Sequence, residues 1–191
     1  MEAMEHPSPD NTLKKTAVAL MVISACVAWV FYMAWSSRIA MRTAIMPSLP
    51  ERTTPLAVGL VLGLIFAATV IFGSSVGRDL KKIAPQFAVG FGLGLLSSLH
   101  IYEVCVYLFP GDTVQYETDY QIVIPGRISE NSRRCKAWLK IKDPNTHRWI
   151  DICTTPSDLD AQRKRGMNAI WVNAYTNTVG SYIINYAFIY K

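Results

Sequence analysis

Three stretches in the first 110 residues hold no Asp, Glu, Lys or Arg: 22 residues between Lys15 and Arg38, 25 between Arg52 and Arg78, and 20 between Lys82 and Glu103. A helix rises about 1.5 Å per residue and the hydrocarbon core of a bilayer is about 30 Å thick, so each stretch is long enough to cross it. The pattern predicts transmembrane helices over about 16–35, 55–76 and 83–102, the last reaching 109 if the helix runs on past Glu103. Residues 1–15 then form an N-terminal tail, 16–109 the membrane region and 110–191 a small extramembrane domain. The first run is too long for the apolar segment of a signal peptide and closes on Trp29, Phe31, Tyr32 and Trp35, so it reads as a retained anchor with an interfacial aromatic belt.

After Pro110-Gly111 the texture changes. Thr113 to Ile124 is rich in Val, Ile, Tyr and Thr and ends at Pro125-Gly126, which predicts a strand and a turn. Cys135–Lys142 and His147–Thr154 flank Asp143-Pro144, a type I turn signal, and predict a hairpin. With Lys142 opposite Thr146, Cys135 falls opposite Cys153, within disulfide reach. Thr155, Pro156 and Asp158 predict a short helix start, with Arg163, Lys164 and Arg165 in its last turn and Gly166 closing it.

Residues 166–190 are uncharged and fit two readings. As a helix they would be a fourth transmembrane span with Asn173, Asn177, Ser181 and Asn185 on one stripe; as strands, the same residues share a face. Composition leans toward strands turned at Gly180-Ser181. The expected fold is therefore an α+β membrane protein: three transmembrane helices, then a mainly antiparallel β domain of five strands with one short helix, the alternative being four transmembrane helices.

Composition sharpens this reading. The chain is 51% hydrophobic and only 17% charged, against about a quarter charged in ordinary soluble domains, which excludes a wholly soluble protein. The net charge of +5 is spread over both halves and gives no basic face for nucleic acid. With the N-terminus cytoplasmic, Lys14, Lys15, Arg78, Lys81 and Lys82 lie inside and Arg38, Arg42 and Arg52 outside, which places the C-terminal domain outside the cytoplasm.

Candidate functional residues are sparse. Gly59 and Gly63, Gly73 and Gly77, and Gly90 and Gly94 are each four apart, with Ala67 and Ser98 extending two of the ridges; such small-residue faces let membrane helices approach closely. His100 and Glu103 share a helical face at the end of the third span, where they can form an interfacial pair, contact another subunit or handle an ion. No catalytic motif, metal-ligand set or cofactor fingerprint is present in the sequence, and a non-enzyme without cofactor is expected. The reading that follows is an accessory or assembly subunit of a larger membrane complex, with other membrane subunits and the lipid bilayer as partners and homo-oligomerisation open. Alternatives are a component of an oligomeric channel or transporter and a small membrane-anchored binding or immunity-type protein.

Overall fold

The computed structural model describes residues 9–73, 80–124 and 135–191. Among them the chain forms five helices and seven strands. It divides into two compact units, residues 1–35 and 36–191.

The described residues of the first unit, 9–35, belong to helix α1 (Pro9–Ala40), which begins before and ends beyond the expected 16–35. Its apolar run, Leu13–Ala40, has no buried residue in its most hydrophobic window. Tyr32 and Trp35 stack obliquely at 6.4 Å near the end of the unit.

In the second unit, strand β1 (Thr43–Ile45) precedes helix α2 (Thr53–Gly73). Pro55 sits in the first turn of α2, where its missing N–H costs no hydrogen bond. Helix α3 (Leu80–Ser98) returns and is followed by α4 (Ile101–Leu108). The expected third span, 83–102 or 83–109, is thus broken: α3 and α4 meet at 40° across Leu99 and His100. The Ser98 hydroxyl donates to the carbonyls of Gly94 at 2.7 Å and Leu95 at 3.2 Å, and Leu99 N closes onto Leu96 O, so the helix tightens and ends there. Among the described residues two helices, α1 and α2, are long and apolar enough to cross a membrane, and α3 with α4 makes a third if the bent pair is one span.

Strands β2 (Asp112–Thr118), β3 (Tyr120–Val123), β4 (Ala137–Lys142), β5 (Trp149–Thr154), β6 (Ala169–Thr176) and β7 (Gly180–Ile189) complete the second unit, with α5 (Pro156–Gln162) between β5 and β6. One antiparallel sheet has the order β1-β7-β6-β2 and the other β3-β4-β5. The single strand expected over 113–124 is divided at Asp119, where the chain leaves one sheet for the other. The sheet also recruits β1 from between the first two apolar helices, so it is not confined to 110–191. Residues 169–189 are strands, which removes the fourth-span alternative. Their turn lies at Asn177–Val179 rather than Gly180-Ser181, because Asn177 Oδ1 accepts from the N–H groups of Val179 and Gly180 at 3.0 and 3.2 Å.

The inner faces of both sheets meet in a filled core. Leu139, Ile141, Ile170, Val172 and Ile183 are buried in it, with Leu159 of α5 covering one end. Thr155 caps α5 through Asp158 N, but the helix stops at Gln162, so the basic triplet lies after it and Gly166, at φ +95°, belongs to the next turn.

Candidate functional site

The glycine ridges of α2 and α3 interlock with each other. A Cβ at Gly63 would stand 2.8 Å from the ring of Phe87, and one at Gly59 3.0 Å from Phe91 O. In return, a Cβ at Gly90 would stand 2.7 Å from Leu62 O, and one at Gly94 2.9 Å from the Cα of Gly59. Ala67 and Ser98 are buried along the same seam. Each glycine admits a bulky residue or backbone of the facing helix, the arrangement that gives dispersion contacts where no hydrophobic force acts between helices. Gly73 ends α2, and Gly77 lies outside the described residues.

His100 and Glu103 stand at the α3–α4 break. Nδ1 of His100 is 3.6 Å from Oε1 of Glu103, too far for a hydrogen bond, and has no hydrogen-bond partner among the described residues. Among those residues no three His, Cys, Asp or Glu side chains come together to hold a metal ion.

The sheet grips α4 by its orphan carbonyls. Asn177 Nδ2 donates to Val106 O at 3.0 Å, and the Tyr175 hydroxyl donates to Phe109 O at 2.9 Å, satisfying groups that a helix end leaves unpaired. Beside this contact Tyr107, Tyr175, Tyr182 and Ile184 line a cleft of about 380 Å³, with the Tyr107 and Tyr182 rings edge to face at 5.2 Å. A second cleft, about 490 Å³, lies at the start of α2 between Pro50, Arg52 and Arg148, where Arg148 pairs with Glu51. Neither cleft could be read from sequence, because each joins residues from strands or loops that are distant along the chain.

Cys135 and Cys153 form a disulfide with Cα atoms 5.3 Å apart. The register behind the expected pairing differs, however: Lys142 faces Trp149 rather than Thr146, and Cys153 faces Trp138. Asp143 N donates to Arg148 O, and His147 adopts φ +57°, so six residues, 143–148, separate Lys142 from its partner Trp149 where three were expected. Cys135 reaches its partner from the chain just before β4, not from the ladder.

That turn is anchored by a buried carboxylate. Asp143 accepts from Thr146 N at 2.8 Å, from the Thr146 hydroxyl at 2.6 Å and from the Tyr116 hydroxyl at 2.9 Å. Burial, then the charge and hydrogen bond of Asp143, push the Tyr116 phenol well above its ordinary range. The group is a structural lock: its acceptor sites point at the loop and at β2.

No protein-family model, curated protein or solved structure matches the chain.

Proposed function

We propose that this protein is a non-catalytic accessory subunit of a membrane complex, anchored by three spans and presenting its β domain as a docking module outside the cytoplasm. The observation that carries the reading is the division of labour between the helices. The glycine faces of α2 and α3 are consumed in packing against each other, whereas α1, apolar over Leu13–Ala40 and long enough to cross a membrane, belongs to a unit of its own and offers a surface to lipid or partner helices.

Pairing of β1 with β7 supports the three-span arrangement. It holds the connection between α1 and α2 beside the C-terminal domain, which fits an even number of crossings by the intervening chain. If α2 crosses, the bent α3–α4 pair brings the chain back. The disulfide favours an oxidising compartment for the domain, and Lys14 and Lys15 before the first span fit a cytoplasmic N-terminus. The filled interior of the β domain speaks for recognition at its surface rather than capture of a ligand inside.

The test is purification from native membranes in mild detergent, with identification of stably co-migrating chains, alongside reconstitution of the chain alone in liposomes. Non-identical partners and no specific flux are expected. A specific ion or solute flux from the lone chain, abolished by Glu103→Gln, would replace this reading with the channel or transporter alternative.

A further inference from the structure

Among the described residues, strand β3 leaves a pairing position unfilled. Thr118 is opposite Ile170 on β6, and the same register carried two residues further would place Asn168 opposite Tyr120. The chain before β6 does not continue that way. Met167 N donates to Lys164 O and Gly166 takes φ +95°, so residues 164–167 turn aside. Beyond Asp119, β3 pairs with β4 alone among the described residues. Lys142 N donates to Asp119 O, which sets the alternation: the backbone groups of residues 119, 121 and 123 face β4, and those of Tyr120 and Ile122 face the vacant side.

The vacancy has walls. Tyr120 and Ile122 on one side and Arg163, Met167 and Asn168 on the other line a cleft of about 320 Å³. The Tyr120 hydroxyl donates to Met167 O at 2.8 Å, and the Arg163 guanidinium stands 5.6 Å from the centre of the Tyr120 ring. Val123 and Ile124 are exposed at the end of the strand. An unpaired edge flanked by exposed apolar residues is a template for another strand.

Charge selects the occupant. Arg163, Lys164 and Arg165 are exposed beside the cleft. Asp119 faces Lys191 Nζ at 3.8 Å, and Asp158 is occupied by the Thr155 hydroxyl at 2.7 Å. The chain's own segment 125–134 carries Arg127, Arg133 and Arg134 against Glu130 alone, so its charge does not complement the triplet.

We infer that the edge of β3 receives an extended acidic peptide segment of a partner protein by strand addition, its backbone pairing with Tyr120 and Ile122 and its carboxylates meeting Arg163, Lys164 and Arg165. This rests on the docking-module reading and names the partner's chemistry.

The experiment uses the full chain in detergent and three short fluorescent peptides: alternating Glu and Val, alternating Lys and Val, and the acidic peptide with proline replacing valine. Only the first should bind, and it should slow amide exchange at Tyr120 and Ile122. Arg163→Glu with Lys164→Glu, both at exposed positions, should weaken binding at least about tenfold, and added salt should weaken it too. The inference is overturned if the acidic peptide fails to bind, or if its proline version or the basic peptide binds equally well. It is also overturned if the Tyr120 and Ile122 amides are already protected in the free protein by segment 125–134 or a second copy. A hetero-complex found in native membranes alongside a negative peptide result would sink this inference and leave the accessory-subunit reading standing.

Discussion

A Cβ at Gly180 would fall on the carbonyl oxygen of Ala44 and come within 3.0 Å of Cγ2 of Val106. Three parts of the chain meet there: β1 from the connection between the first two apolar helices, α4, and the first residue of β7. Only a residue without a side chain lets them close up. Gly180→Ala should therefore detach β1, and overpacking of this kind costs about 1–3 kcal/mol. The expected result is a lower urea midpoint in detergent together with new protease cleavage within residues 41–52; an unchanged cleavage pattern would show that β1 does not depend on this contact.

The α2–α3 seam predicts a difference between two glycines. At Gly63 the obstacle to a larger residue is the ring of Phe87, whereas at Gly90 the nearest atom is the backbone carbonyl of Leu62. Gly63→Ala should destabilise the helix pair and be partly rescued by Phe87→Leu, since a smaller side chain restores the space. Gly90→Ala has no equivalent rescue, because a carbonyl cannot be trimmed. Leu64→Ile, at an exposed site, is the control. Thermal midpoints in detergent for the four variants decide the matter, and equal losses at both glycines with no rescue would count against interlocked packing.

The disulfide joins residues 18 apart in sequence and encloses β4, the Asp143 turn and β5 up to Cys153. On chain-entropy grounds a loop of this size contributes about 3 kcal/mol. Cys135→Ser with Cys153→Ser should lower the unfolding free energy of the β domain by about that amount. Alkylation of denatured protein before reduction should label Cys26 and Cys105 and leave the other two unmodified, as followed by intact mass.

Different features were legible for different physical reasons. The apolar helices announce themselves through charge spacing, because a bilayer tolerates few ionised groups over about 20 residues. The break at Leu99–His100 does not, since serine hydroxyls bond back to helix carbonyls in straight and broken helices alike. Asp143-Pro144 marks where a turn starts, but its length depends on His147 entering the left-handed region, which residue type alone does not dictate. The bend at Asp119 leaves the alternation of β2 and β3 intact, so it is invisible to periodicity. Strand β1, three residues long, is too short to carry a periodic signal at all. The small-residue ridges could be read along each helix, but that they face one another follows only from the packed pair.

The Tyr116–Asp143 bond predicts a pH dependence. Tyr116 holds its proton more tightly in the folded domain than in the unfolded chain, where a phenol titrates near 10.0, chiefly because the folded site is buried and secondarily because Asp143 is charged. Its contribution to stability is therefore complete below about pH 10 and is lost as pH rises above that value. Burial likewise raises Tyr186, with Arg42 opposing and Asp158 assisting, so more than one tyrosine weakens the fold in alkali. Tyr116→Phe isolates the first contribution. At pH 8 the variant lacks a hydrogen bond to a buried carboxylate and should be less stable by about 1.5–3 kcal/mol. At pH 11 the wild type is itself penalised for keeping the phenol protonated, whereas phenylalanine has no proton to lose, so the gap between the two should shrink. Urea unfolding of both proteins in detergent at the two pH values measures this directly, and a gap that stays constant or widens with pH would show that Tyr116 is not protected in the folded domain.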